Sequence, residues 1–132
     1  MGGADELPAA VTAFLDAYID SLEHLELLLL VMQTPQRWWD APAVGAQLGT
    51  HPDQARRALE HLAARNLLAI RVTGDVRYQY QPGRPDLAEA ARLVAATYRE
   101  RRVAVLQAVT QPERRSLRDF ADAFRIRRDD DR

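Results

Sequence analysis

The segment Ala41–Leu62, "APAVGAQLGTHPDQARRALEHL", reads as two short helices separated by a tight turn. Apolar residues recur in it at the spacing of one helical face. We expect the inward-facing side chains to be Val44, Leu48, Ala55, Leu59 and Leu62. Gly49 tolerates the left-handed backbone of a tight turn, and Gly45 lacks the side chain that would separate the helices where they cross. The segment therefore predicts a pair of steeply crossing helices.

The second helix has recognisable start and stop signals. Pro52 suits a first helical turn, and His51 precedes it at the capping position. Asn66 tolerates the left-handed conformation that ends many helices. We therefore expect this helix to run from Pro52 to about Asn66.

A β-hairpin is predicted directly after this helix, in the alternating segment "LLAIRVTGDVRYQYQP". Its tight turn is expected at Thr73, Gly74 and Asp75. The face expected to point inward carries Leu68, Ile70, Val72, Val76, Tyr78 and Tyr80. The face expected to point outward carries Arg71, Thr73, Arg77 and Gln79.

Toward the N-terminus the pattern predicts two helices and a short strand. A helix starting near Pro8 has one apolar face, made of Val11, Phe14, Leu15, Tyr18, Ile19 and Leu22. Asp20 starts the next helix with a capping-box spacing, and the helix "LEHLELLLLVMQ" is apolar on most sides, as a central core helix must be. The two helices can also be read as one continuous helix. "RWWD" predicts a single-bridge strand, after which Asp40 caps the helix that begins at Ala41.

Toward the C-terminus we expect one long helix and one short one. Asp86 is the predicted cap of one long helix reaching about Thr110. Its apolar stripe contains Leu87, Ala91, Val94, Tyr98, Val105 and Val109, and Arg99–Arg102 interrupt the stripe. A short amphipathic element begins at Ser116, and a disordered tail is expected after it.

The order helix, short strand, helix, tight turn, helix, hairpin over Ser21–Pro82 resembles the winged helix-turn-helix regulators. The flanking helices resemble those of MarR-like and ArsR-like bacterial regulators, which dimerise through such helices. The resemblance implies a mainly α fold with a small β-hairpin wing. It divides the chain into an N-terminal helical arm (1–20), the winged domain (21–82), a long dimerisation helix (86–110) and a short helix with a tail (113–132).

Charge is unevenly distributed along a chain whose net charge is −1. All basic residues are arginine, and the segment 51–84 carries six of them against three acids. The whole-chain balance argues neither for nor against a polyanionic partner. The local excess coincides with the predicted second helix and hairpin.

Cysteine content, the first residues and hydropathy indicate the cellular compartment and the class of protein. The chain has no cysteine, which fits a reducing compartment, and its start lacks the basic region of a signal peptide. The apolar run Leu27–Met32 is far shorter than the roughly 20 residues of a membrane span. We expect a cytoplasmic protein without membrane contact. No nucleophile motif or glycine-rich phosphate loop is present, so we expect neither an enzyme nor a cofactor.

The arginines and their neighbours predict binding to double-stranded DNA. If the helix after Pro52 enters a major groove, Gln54 can read an adenine, while Arg56 or Arg57 can bind a guanine or a phosphate. The hairpin would then place outward-facing arginines on the flanking backbone. The predicted DNA-binding residues are His51, Gln54, Arg56, Arg57, Arg71 and Arg77. Asp53 and Glu60 on the same helix would repel phosphate.

A single winged domain of 132 residues cannot easily bury the apolar faces of both terminal helices against itself, so we expect a homodimer through the N- and C-terminal helices.

Two alternatives to DNA binding stay open. The acids on the helix, together with Phe120 and Phe124 as anchors in 113–132, also fit a module that binds another protein, such as a sigma factor, polymerase subunit or regulator. Trp38 and Trp39 could line the pocket of a ligand sensor, but we expect them to pack in the core. The histidines His24, His51 and His61 lack metal-motif spacing, so we expect no metal site.

Overall fold

The computed structural model describes residues 7–110, which form a mainly helical fold with one two-stranded antiparallel hairpin. The elements are α1 (Ala9–Tyr18), α2 (Leu22–Gln33), α3 (Ala41–Leu48), α4 (Pro52–Ala64), β1 (Leu68–Thr73), β2 (Asp75–Tyr80), α5 (Pro85–Glu100) and α6 (Arg102–Thr110). This confirms the predicted mainly α class with a hairpin. The predicted element with Phe120 and Phe124, and the tail, lie outside the described residues. Within 7–110, every helix is too short or too polar to cross a bilayer.

Helices α3 and α4 meet at a tight turn, as the sequence predicts. The Asp40 side chain accepts a hydrogen bond from the Ala43 N–H at 2.9 Å and so caps α3. Gly49 ends α3 with φ of 74°. A β-carbon at Gly45 would lie 2.7 Å from the Thr50 carbonyl oxygen, so only glycine permits this approach without a shift. At the end of α4, Asn66 adopts the expected left-handed backbone, with φ of 70°.

The hairpin has the predicted register, but its tip is exposed. Leu68 pairs with Tyr80 and Val72 with Val76, around a turn in which Gly74 has φ of 98°. The predicted inward positions at the tip are wrong, because only the base of the hairpin packs on the helices. The exposed fractions are 54% for Ile70, 69% for Val72 and 43% for Val76.

A single bridge joins the tryptophan segment to the hairpin. Trp39 and Tyr78 exchange two backbone hydrogen bonds, of 2.7 and 2.8 Å. The Trp39 ring is buried and donates its Nε1–H to the Thr34 hydroxyl at 3.0 Å. The short strand predicted from "RWWD" is confirmed, and it extends the hairpin on the β2 side.

The start of α2 differs by one residue from the expectation. Ser21, not Asp20, caps the helix, and its hydroxyl accepts from the His24 N–H at 3.3 Å. Ile19 has an extended backbone, so α1 and α2 are separate helices rather than one. Ser21 is the cap, rather than Asp20 one position earlier, because its hydroxyl reaches the third amide of the helix.

The C-terminal region also departs from the prediction. Arg84 occupies the capping position of α5, and Asp86 lies in its first turn, where it accepts from the Arg84 Nε–H at 3.0 Å. The expected long helix is two helices, because Arg101 leaves helical geometry with φ of −133° and ψ of 56°. After this break α6 contacts α1, α2 and α5.

The apolar faces of the terminal helices are buried within one chain. Helix α1 packs mainly against α5, and the core includes Val11, Phe14, Leu15, Leu87, Ala91, Val94, Val105 and Val109. The expectation that a single chain cannot bury both faces is therefore wrong, since α1, α5 and α6 cover one another. The homodimer itself stays a prediction and needs another surface.

Candidate functional site

The exposed side of α4 is the centre of the predicted site. Ala55, Ala58, Leu59 and Leu62 are buried and fix the rotation of the helix. This rotation places Asp53, Arg57 and Glu60, spaced four and three residues apart, along the ridge that points away from the core. Gln54 and Arg56 flank this ridge on opposite sides, and both are exposed. The outward ridge thus combines one cation with two anions.

His51 caps α4 and stays exposed. Its Nδ1 accepts a hydrogen bond from the Asp53 N–H at 3.0 Å, and it lies 3.8 Å from an Asp53 carboxylate oxygen. A neutral His51 that accepts at Nδ1 carries its proton on Nε2. That Nε2–H is a donor at the exposed start of the helix.

The two arginines of α4 differ in their partners. Arg56 lies 3.4 Å from the Asp53 carboxylate in an exposed ion pair, so part of its charge is neutralised within the helix. Arg57 is exposed and forms no ion pair with any residue in 7–110. Of the two, Arg57 is the better placed to bind an anion without first breaking an internal contact.

Arg71 and Arg77 lie directly opposite each other on the hairpin. Two like charges in such a pair repel. The Arg77 Nε–H donates to the Asp75 carboxylate at 3.0 Å, and the Arg71 guanidinium lies over the Trp38 ring at 4.3 Å from its centre. Each of these two cations is therefore held by a neighbouring side chain. Through its contact with Arg71, Trp38 belongs to the predicted site, whereas the sequence pattern predicts that it packs in the core.

Arg71 and Arg77 lie on the hairpin face opposite to Tyr78, whose side chain is buried. Ile70 and Val72 share the face of Tyr78. Burial raises the pKa of Tyr78, the carboxylate of Glu60 raises it further, and Arg56 lowers it. The two hairpin arginines therefore point away from the buried base of the hairpin.

Two further features were not found from the sequence. A pocket of about 280 Å³ lies between α2 and α5, away from the tryptophans, and is lined by Leu29, Met32, Gln33, Arg92, Ala95, Tyr98 and Arg99. Asp20, His24 and His61 converge from separate parts of the chain. Only the four-residue spacing of Asp20 and His24 is visible locally, and His61 is joined to them by the packing of α4.

Comparisons with protein-family models, with curated proteins and with solved structures give no match to this chain.

Proposed function

We propose that this protein is a sequence-specific DNA-binding regulator of winged helix-turn-helix architecture that acts as a homodimer. Helix α4 would enter the major groove, and the hairpin, as the wing, would contact the flanking backbone. The observation that carries the proposal is the exposure of Gln54, Arg56 and Arg57 in the first two turns of a helix that follows a tight turn. These are the positions from which a recognition helix reaches base edges.

The contacts expected from these residues follow from their chemistry. Gln54 can form a bidentate pair with adenine, and either arginine can do so with guanine, each pair discriminating by about 1–3 kcal/mol. Arg57 meets the DNA directly, while Arg56 exchanges Asp53 for a phosphate or a base. Arg71 and Arg77 reach a second stretch of backbone from the far face of the hairpin. Because Asp53 and Glu60 oppose phosphate, the expected affinity depends on a correct base sequence.

A second candidate function is a module that binds another protein. The observations that favour it are the exposed aliphatic tip of the hairpin, Ile70, Val72 and Val76, and the mixed charges exposed on α4. An apolar centre with a charged rim is the usual composition of a protein interface. The segment with Phe120 and Phe124 would add a second contact in this case.

Salt-dependent DNA binding separates these candidates. Fluorescence anisotropy on duplex DNA should give a slope of log K against log salt on the order of −4 to −6 for a dimer with five to seven phosphate contacts. Arg56→Ala combined with Arg57→Ala should make the slope less steep by about 2–4. The matched control is Arg92→Ala with Arg99→Ala, which removes the same charge from α5 and should leave the slope unchanged.

The DNA proposal fails if the chain does not bind duplex DNA at low salt, or if the two double variants behave alike. Selection of bound fragments from random duplex DNA by the purified protein tests specificity and symmetry together, since a dimer should enrich a palindrome. An absence of enrichment, with loss of a stoichiometric protein partner in Val72→Ser plus Val76→Ser, would instead support the second candidate.

A further inference from the structure

Two histidines and one aspartate meet at the junction of α1, α2 and α4. Asp20 lies between α1 and α2, His24 lies in the first turn of α2, and His61 lies in the last turn of α4. One oxygen or nitrogen atom from each side chain lies within 4.8 Å of the others. The rings of His24 and His61 stack, with centres 3.7 Å apart.

The hydrogen bond of His61 determines which of its nitrogens carries the proton. Its Nε2 lies 2.7 Å from the Tyr18 carbonyl oxygen, which can only accept, so Nε2 is the protonated atom. The Nδ1 lone pair of the neutral ring then faces the Asp20 carboxylate at 3.9 Å. Two electron-pair donors therefore face each other, an arrangement that a cation stabilises.

We propose that Asp20, His24 and His61 bind a divalent first-row transition metal ion, with Zn²⁺ and Ni²⁺ as the best probes. Imidazole nitrogen and carboxylate oxygen are ligands that these ions accept, and three protein ligands leave further positions for water. The hydrogen bond from His61 to a backbone carbonyl is the outer-shell contact that usually orients a metal-binding imidazole.

Binding requires His24 to turn. The two rings are stacked and inclined by only 21°, so their lone pairs lie in separate, nearly parallel planes and cannot both point at one ion. Ligands about 2.1 Å from a tetrahedral ion lie about 3.4 Å from one another, so the donor atoms must also move closer. His61 is held by Tyr18, whereas the Nδ1 of His24 accepts from the exposed Asp20 N–H, at 3.1 Å. Water can take over that N–H when His24 turns.

Arg65 and Asp20 place opposite charges beside His61. The Nη1 of Arg65 donates to the His61 carbonyl at 3.2 Å. Its positive charge opposes the binding of a metal ion at the cluster. The negative charge of the Asp20 carboxylate offsets this repulsion. The ion would join the α1–α2 junction to the end of α4, the helix that the proposed function places on DNA. Metal binding itself does not depend on DNA, so each proposal can fail alone.

Calorimetric titration of the full chain with Zn²⁺ and with Ni²⁺ tests the site. One ion per chain is expected, and both Asp20→Asn and His24→Gln should weaken binding by at least about tenfold. The control His51→Gln removes an exposed histidine outside the cluster and should bind like the wild type. Binding should also weaken below about pH 6, because protons compete for the imidazoles.

A measurement on the wild-type chain keeps the test independent of mutant folding. Addition of Zn²⁺ should shift the NMR signals of the Nδ1 atoms of His24 and His61 and leave those of His51 unchanged. The absence of saturable binding, shifts confined to His51, or equal binding by Asp20→Asn, His24→Gln and the wild type would each overturn the proposal.

Discussion

At the scale of single residues, His61 makes the stability of the fold depend on pH. Burial is the main cause of its lowered pKa, and Arg65 lowers it further, while the Tyr18 carbonyl and Asp20 act in the opposite direction. Above the ordinary value of 6.5 the ring is neutral in both folded and unfolded chains. Below it the unfolded chain binds the proton more readily, so the free energy of unfolding falls as the pH falls, until the folded ring is protonated too.

Urea unfolding at pH 7.5 and pH 5.5, with a chelator present, measures this effect. The free energy of unfolding should be lower at pH 5.5 in the wild type, and His61→Gln should show a smaller decrease. His51→Gln retains the buried ring and should behave like the wild type. A pH dependence that is unchanged in His61→Gln would refute the assignment to this residue.

Capping residues show how far single positions can be predicted. Asp40 and Gly49 act as expected, because each has the local chemistry and no adjacent competitor. Asp20 does not, because Ser21 beside it is an equally good cap. Asp86 does not either, because Pro85 already occupies the first helical position and Asp86 follows it inside the first turn. There the Arg84 guanidinium lowers the pKa of the Asp86 carboxyl.

At the scale of elements, the crossing of α3 and α4 depends on Gly45. Gly45→Ala should lower the free energy of unfolding by about 1–3 kcal/mol, because the added carbon meets backbone that cannot move alone. Denaturant unfolding measures the loss. Gln47→Ala on the exposed side of α3 is the matched control and should change stability by less than about 0.5 kcal/mol. Equal stability of Gly45→Ala and the wild type would contradict the prediction, because it would show that α3 and α4 can move apart at no cost in free energy.

The hairpin and helices α5 and α6 show what the periodicity of apolar residues does not predict. Alternation predicts the register correctly, because side chains of a strand change sides at every residue. It does not reveal how far the hairpin extends beyond the helices, and the inward position predicted for Val72 is therefore wrong. No glycine or proline lies at the break at Arg101, so the local sequence does not predict it. It accompanies the packing of Val105 and Val109, which is a tertiary property.

At the scale of the whole molecule, the site is only partly predictable from sequence. The exposure of Gln54, Arg56 and Arg57 follows from the helical spacing of their buried neighbours. The orientation of the hairpin relative to α4 does not, since it depends on how Tyr78 packs. The cluster around His61 is hidden for the same reason, because 37 positions separate His24 from His61 along the chain.

The covering of α1 by α5 within one chain gives the last prediction. Phe14 is buried and contacts the Tyr18 ring at a centre-to-centre distance of 4.7 Å. Phe14→Ala should lower the free energy of unfolding by about 3–5 kcal/mol. Because its contacts lie within the chain, the loss should be the same at low and at high protein concentration in denaturant unfolding.

Leu93 provides the contrast, because it lies on α5 but is exposed. Leu93→Ala should change the stability of the single chain by less than about 1 kcal/mol. If the proposed homodimer uses the outer face of α5, the same substitution should weaken dimerisation in analytical ultracentrifugation, whereas Phe14→Ala should act on folding first. A loss from Phe14→Ala that is present only where the dimer forms would mean that α1 packs against a second subunit, contrary to the packing found within this chain.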